Sequence, residues 1–258
     1  MAKKRADHIE LLILSTFAIV PLLWFREGYD ALAGFDFSVY LNPVAALKRS
    51  FFLWSDNMAG GYDSSHEVSS MAYYLIFSIP VFLGFSLYTA EKIVFAMIFA
   101  LQGFSMYYML GALFGGHAGV RVARLAGAFL YAFSFPVMAH FGRGNLMALL
   151  AYALLPLLLG LLKKGFEERG RRWRYILMLA LLMFPIVSVK GHPADFLVIT
   201  LVAGFFIILH LAVSNGKSAG EIIKFTSLAL LSCSLVSLWW IVPNIIYLAD
   251  FGLSTGDL

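Results

Sequence analysis

The sequence predicts an all-α, polytopic membrane protein, and three features of its composition support this. Hydrophobic residues make up 61% of the 258 positions, charged residues make up 13%, and the mean hydropathy is +0.83. Several apolar runs approach the ~20 residues that an α-helix needs to span a bilayer. The alternating, weakly hydrophobic segments of an outer-membrane barrel are absent. The lipid bilayer is therefore the first expected partner, and the net charge of +4 is too small to indicate nucleic acid.

Hydropathy marks eight apolar segments, near residues 9–25, 70–88, 93–114, 125–141, 146–162, 175–189, 194–213 and 222–248. If all eight crossed the membrane from a cytoplasmic N-terminus, the most basic loop, 163–174, would lie outside, against the usual retention of Lys and Arg in the cytoplasm. Segment 70–88 has Pro80 and Gly84 near its centre and tyrosines towards both ends, which is typical of an interfacial segment. Excluding it leaves about seven transmembrane helices and places thirteen of the nineteen basic residues inside.

This topology predicts a multi-pass protein of the cell membrane with its N-terminus in the cytoplasm and its active face outward. The outer face then collects a long first loop at 26–92, turns at 140–145 and 189–196, and the C-terminal end. The inside loops have the character of plain anchors. No internal repeat or linker marks a second domain, so residues 1–258 are expected to form a single transmembrane module.

The first outer loop is predicted to carry interfacial helices. Residues 42–54 place apolar side chains on one helical stripe, with Asn42 and Pro43 at a helix start, and the stripe consists of Val44, Leu47, Phe51 and Trp54. Such an amphipathic helix would lie along the membrane surface. Residues 55–67 follow as a turn-rich connector.

Asp36 is the candidate catalytic residue. It lies in the stretch GFDFSVYLNP, between two phenylalanines and just after the first apolar segment. Apolar surroundings raise the pKa of a carboxylate, which would suit a general base that takes a proton from an acceptor hydroxyl. The alternative interpretation is a helix cap or a solvated loop aspartate.

The outer turns supply candidate phosphate-binding residues. His140 and Arg143 lie in AHFGRGN, where the planar guanidinium of Arg143 could grip a phosphodiester. Lys190 and His192 lie in VKGHPADF, and ionisable residues between two apolar helices are unusual for a simple connector. The alternatives are an interfacial arginine that contacts lipid headgroups and a turn histidine at a helix start.

Lys92 is a further candidate for contact with an anionic group at the interface. It follows Glu91 at the start of the second span, where the default interpretation is that the two side chains cap the helix and pair with each other.

Metal and cofactor signals are weak. Asp63, His66 and Glu67 could coordinate a divalent cation, but three mixed ligands in a turn-rich loop identify no metal, and no cofactor is certain. HEVSSM is not a HExxH zinc motif, and neither a nucleophile elbow nor a P-loop occurs. The single cysteine, Cys233, excludes a disulfide within the chain.

The order of these features resembles that of membrane glycosyltransferases with the C-type (GT-C) fold, which use lipid-phosphate sugars. The likeness is greatest to the N-terminal part of the actinobacterial cell-wall arabinofuranosyltransferases. Its short motifs are Asp36 with Pro43, Leu53 and Trp54 with Gly60, residues 73–77 with Pro80, and Glu91 with Lys92. The turns around residues 140–145 and 190–196 resemble that group more loosely. Relatives of this kind continue into further helices and outer domains.

The resemblance implies a polyprenyl-phosphate sugar donor, a glycan or glycoprotein acceptor, and Asp36 as the catalytic base. A partner subunit would suit a minimal core. Two alternatives stay open: a flippase or transporter of lipid or solute, which ionisable groups within the spans would favour, and a non-catalytic fragment of a larger membrane enzyme.

Overall fold

The computed structural model describes residues 2–23, 42–52, 54–55, 62–63, 68–115, 118–142, 145–188 and 193–255. Most of these residues are helical. The helices are α1 (Ala2–Thr16), α2 (Ile19–Leu22), α3 (Pro43–Arg49), α4 (Met71–Phe82), α5 (Leu87–Phe114), α6 (Ala118–Ala132), α7 (Phe135–Gly142), α8 (Leu146–Glu167), α9 (Arg172–Ser188), α10 (Pro193–Val213) and α11 (Gly216–Thr255). A 3₁₀ turn, Arg169–Arg171, precedes α9, and two short strands, β1 (Trp54–Ser55) and β2 (Tyr62–Asp63), lie between α3 and α4.

The prediction of an all-α polytopic membrane protein is confirmed. Within the described residues, five helical segments are long and apolar enough to cross a membrane: Leu87–Phe114, Gly119–Phe141, Leu146–Glu167, Asp195–Val213 and Ser218–Ile246. The first apolar helix, Ile9–Leu22, is shorter. Helix α9 has 17 residues, which rise only about 26 Å.

Helix α8 is the centre of the bundle. Its first turn is capped by Asn145, whose side-chain oxygen accepts a 3.1 Å hydrogen bond from the backbone N–H of Ala148. Leucine and alanine fill most of the helix, and 72% of its membrane-spanning window is buried among α5, α7, α9, α10 and α11. Because it is apolar on every side, α8 can be enclosed by other helices without burying a charge.

Helices α5 and α8 approach closely, because a glycine leaves room at their contact and a polar side chain forms a hydrogen bond across it. A Cβ atom at Gly160 would lie 2.7 Å from Cδ1 of Tyr108 and 3.2 Å from the Cα of Met109, so only glycine allows this spacing. Further along the same contact, the fully buried Gln102 donates a 3.1 Å hydrogen bond from Nε2 to the carbonyl oxygen of Leu149. This bond joins the two central helices through their apolar core.

The predicted span at 125–141 lies within one candidate membrane segment, Gly119–Phe141, which starts earlier than predicted and consists of two helices. Helix α6 begins at Ala118 and ends at Ala132, and α7 starts at Phe135 after a break at residues 133–134. Pro136 explains the break, because it has no N–H to donate to the carbonyl of Ala132 and disfavours the helical conformation before it.

Segment 70–88 also differs in its limits. The helix within it, Met71–Phe82, rises only about 18 Å, which is less than the ~30 Å hydrocarbon core of a bilayer. Gly84 follows it with a φ of +88°, a conformation that favours glycine. The next helix starts at Leu87, earlier than predicted, with the Ser86 hydroxyl oxygen accepting a 3.2 Å hydrogen bond from the N–H of Thr89.

The predicted amphipathic helix at 42–54 is correct at its start and wrong at its end. Asn42 caps α3 through a 2.9 Å hydrogen bond from the N–H of Ala45, but the helix stops at Arg49. Leu47 is buried against α4, whereas Phe51 is 64% exposed, so the predicted stripe does not share one buried face. The hydroxyl of Ser50 bonds to the carbonyl of Leu47 and helps to close the last turn.

The connector predicted at 55–67 is corrected in part, because strand pairing extends into it. Trp54 lies opposite Asp63 and Ser55 lies opposite Tyr62 in an antiparallel register. The described part of this loop therefore folds back on itself.

One end of the bundle, which we call the basic end, is formed by the last turns of α5, α8 and α10 and the first turns of α6, α9 and α11. Arg172 of α9 donates from Nε to the carbonyl of Gly165 at 3.3 Å and forms an ion pair with Glu221 of α11. Arg121 of α6 has its Nε 3.7 Å from Oε1 of Glu10 in α1. These contacts connect neighbouring helices where the sequence predicted only anchoring loops.

Candidate functional site

The opposite end, which we call the α3 end, contains the described parts of two segments that the sequence predicted for the outer face, residues 42–92 and 140–145. It consists of α3, α4, the first half of α5, α7 and the start of α8. These elements share one apolar cluster, which includes Leu47, Tyr73, Phe77, Phe95, Val137 and Leu146. The cluster fixes the helix ends that bear Lys92 and His140.

Glu91 is the most deeply buried carboxylate among the described residues of the α3 end. It lies in the second turn of α5, and its exposed fraction is 1%. The neighbouring Phe95 packs edge-on against Phe141 of α7, with 5.1 Å between ring centroids. A carboxylate is rarely buried to this extent without a structural or chemical role. The sequence predicted that Glu91 caps the helix and pairs with Lys92, and it did not predict this burial.

Lys92 is partly buried and lies over an aromatic ring. Its Nζ is 4.1 Å from the ring centroid of Tyr88, one turn earlier in α5. A cation at this distance from the face of an aromatic ring is attracted to its electron density. The ammonium group is therefore held at the first turns of α5.

His140 lies in the last turn of α7 and leans towards α8. Its ring centroid is 5.6 Å from that of Tyr152, and its carbonyl oxygen accepts a 2.9 Å hydrogen bond from the N–H of Asn145. The second contact closes the connection between α7 and α8. His140 is therefore positioned by both helices at the α3 end.

Four of the predicted site residues, Asp36, Arg143, Lys190 and His192, lie outside the described residues. The chain on both sides of Arg143 belongs to the α3 end, since α7 ends at Gly142 and α8 follows Asn145. The assignments of these four residues stay predictions.

The weak metal candidates, Asp63, His66 and Glu67, stay a prediction. The backbone of Asp63 pairs with Trp54, and His66 and Glu67 lie outside the described residues. Among the residues that the structure describes, no group of three His, Cys, Asp or Glu side chains could hold a metal ion.

A second polar cluster, at the basic end, was not found by sequence reasoning. Glu10 accepts a hydrogen bond from the hydroxyl of Tyr107 and also contacts Arg121. The guanidinium of Arg124 lies 3.8 Å from the ring centroid of Tyr107 and donates to its carbonyl oxygen. The signal available in the sequence was Glu10 itself, an acidic residue at the start of an apolar run.

Comparison with solved structures identifies the fold of this chain. A scan of protein-family models found no match, and a search of curated proteins found none either. The chain is similar to a cryo-EM structure of arabinofuranosyltransferase AftD from Mycobacteria, with a TM-score of 0.69 and 22% sequence identity. The match covers 91% of this chain and 18% of the mycobacterial chain. This likeness shows that the chain has the fold of one segment of that membrane protein.

Proposed function

We propose that the chain is a membrane glycosyltransferase core that moves a sugar from a polyprenyl-phosphate donor to an acceptor hydroxyl on the outer face. The observation that carries this proposal is the likeness of nearly the whole chain to part of a protein named as an arabinofuranosyltransferase. The motifs around Asp36, residues 73–77 and Glu91 support the same function independently of the fold.

In the proposed reaction, the acceptor oxygen attacks the anomeric carbon of the donor sugar. The new C–O bond forms as the bond between that carbon and the phosphate oxygen breaks, and polyprenyl phosphate leaves with the electron pair. The Asp36 carboxylate accepts the proton of the acceptor hydroxyl. Arg143, Lys190 and His192 stabilise the negative charge that develops on the leaving phosphate.

The geometry of the α3 end supports the proposed function through two described residues, Lys92 and His140. Lys92 and His140 lie on α5 and α7, two helices joined by the contact of Phe95 with Phe141. A basic side chain and an imidazole on adjoining helix ends would suit recognition of a phosphate. In this proposal, Lys92 and His140 bind the donor and Asp36 acts on the acceptor.

The test is sugar transfer by membranes that contain the Asp36→Asn variant. Polyprenylphosphoryl arabinofuranose is the first donor to supply, and the labelled product is measured. We expect transfer to fall by about 10²-fold or more, the usual effect of losing a catalytic base. The matched control is Asp30→Asn in the same loop, which should retain activity. Full transfer by Asp36→Asn, with protein levels equal to wild type, would remove Asp36 from the mechanism.

A further inference from the structure

A cavity of about 380 Å³ opens at the basic end, far along the chain from the candidate catalytic residue, Asp36. It lies between the last turns of α8 and α10 and the beginning of α11. Its lining residues are Lys163, Phe166, Glu167, Leu209, His210, Val213, Ser214, Ser218 and Ile222. The volume falls within the range of small-molecule binding sites.

The cavity presents one positive and one negative side chain next to each other. Nζ of Lys163 is 2.9 Å from Oε1 of Glu167, one turn further along α8. Both side chains are partly exposed, so they remain accessible to a ligand. Ser214 and Ser218 add hydroxyl groups to the same lining. A ligand that carries both charges would complement this pair better than a simple anion, which Glu167 would repel.

The imidazole ring of His210 lines the cavity and is held in place by its neighbours. Its Nδ1 lies 3.0 Å from the carbonyl oxygen of Phe206, and because a carbonyl only accepts, Nδ1 carries the hydrogen. The ring also packs against Phe206 and Phe166, with centroid distances of 4.3 and 5.3 Å. These contacts hold the imidazole in place, and Nε2 is the ring nitrogen left for a ligand.

The surroundings of the cavity indicate an amphipathic ligand. Val213 at its edge is 78% exposed, and Leu209 is also exposed on the same helix. Only 6% of the membrane-spanning window of α10 is buried, so this helix presents apolar surface to lipid. A molecule in the cavity would therefore border the hydrocarbon region as well as the polar interface.

We propose that this cavity binds the headgroup of a zwitterionic phospholipid with a primary ammonium group, from the leaflet at the basic end. The phosphate lies against Lys163 and Ser218, the ammonium donates to Glu167, and the acyl chains run along the exposed face of α10. A primary ammonium fits because it can donate hydrogen bonds to a carboxylate, whereas a quaternary one cannot. The site is separate from the proposed transfer reaction and does not depend on it.

The experiment is native mass spectrometry of the full chain, purified in detergent with equimolar phosphatidylethanolamine and phosphatidylglycerol. We expect the wild-type protein to retain phosphatidylethanolamine preferentially. Lys163→Met and Glu167→Gln should each reduce its retention about tenfold, as expected when a charged hydrogen-bond partner is lost. Ser218→Leu, which fills the cavity without changing a charge, should reduce retention as well.

The chain offers a close control, because Lys164 and Glu168 form the same kind of pair one residue along α8, with 3.4 Å between Nζ and Oε1. Neither residue lines the cavity, so Lys164→Met should retain the lipid as the wild type does. Equal loss in Lys164→Met, equal retention of phosphatidylglycerol, or unchanged retention in all three cavity variants would overturn the proposal. Displacement of the lipid by inorganic phosphate would also overturn it, since free phosphate would then be the ligand.

Discussion

The hydroxyl of Tyr131 in α6 donates a 2.6 Å hydrogen bond to the carbonyl oxygen of Tyr152 in α8. The usual donor to that carbonyl is missing, because the residue four positions later is Pro156, which has no N–H. The tyrosine therefore supplies from a neighbouring helix the donor that the proline withholds. This allows a proline inside the central helix of the bundle.

Tyr131→Phe should destabilise the fold, because it removes the hydroxyl that donates to the partly buried Tyr152 carbonyl. The expected cost in unfolding free energy is about 1–3 kcal/mol. In a Pro156→Ala background, the alanine N–H can bond to the same carbonyl, so the cost of Tyr131→Phe should shrink. A double-mutant cycle of unfolding free energies measures this coupling. Equal costs in both backgrounds would show that the hydroxyl does not compensate for the proline.

Gly165→Ala should disrupt the contact between α8 and α11. A Cβ atom at this position would overlap the ring of Phe225, which is fully buried. Overpacking of this kind costs roughly 1–3 kcal/mol, and a lower melting temperature in detergent would report it. Gly204→Ala in α10 is the control, since nothing lies within 4 Å of its added methyl group. A melting temperature for Gly165→Ala that matched the control would contradict the close packing.

Glu168 is expected to make stability depend on acid pH. The hydroxyl of Tyr175 donates a 2.7 Å hydrogen bond to its carboxylate, and this bond, followed by that of Lys164, lowers the pKa of Glu168 below 4.5. A carboxyl group with a lower pKa in the folded state contributes stability above its unfolded pKa and loses it as the pH falls through the folded value.

Removing the phenol hydroxyl with Tyr175→Phe should therefore weaken the dependence of stability on acid pH. Glu168→Gln should remove the contribution of Glu168 to this dependence completely. Unfolding free energies measured above and below about pH 4.5 would detect the change. Glu167→Gln serves as the control. It removes the neighbouring carboxylate, whereas the Tyr175 hydroxyl donates to Glu168. If Tyr175→Phe left the pH profile of the wild type intact, the hydrogen bond would not control the titration.

The sidedness of the helix ends can be tested by cysteine labelling in a Cys233→Ala background. Phe85→Cys lies at the α3 end, and Gly170→Cys lies at the basic end. A membrane-impermeant maleimide applied to intact cells should label the first and spare the second, because the basic loops are predicted to remain inside. Gly191→Cys should react like Phe85→Cys. Labelling of Gly191→Cys only after permeabilisation would separate the 189–192 turn from the α3 end.

The sequence by itself determined which stretches become helices and how some of them begin. Apolar runs of sufficient length identified the membrane class, and Asn42 with Pro43 marked the start of α3. These signals are local, since they depend on neighbouring residues along the chain. The signal for the break before Pro136 is also local, since the proline itself causes it. Hydropathy is averaged over a window of residues, so a single proline did not reveal the break.

Tertiary structure alone decided which apolar faces are buried and which chemical groups they surround. In a membrane protein, a helix that faces lipid and one that faces other helices can be equally apolar, so composition does not distinguish α8 from α10. Three features arise where separate helices meet. They are the burial of Glu91, the hydrogen bond from the Tyr131 hydroxyl to α8, and the cavity beside Lys163. Such contacts depend on the packing of distant segments, for which hydrophobicity along one chain carries no signal.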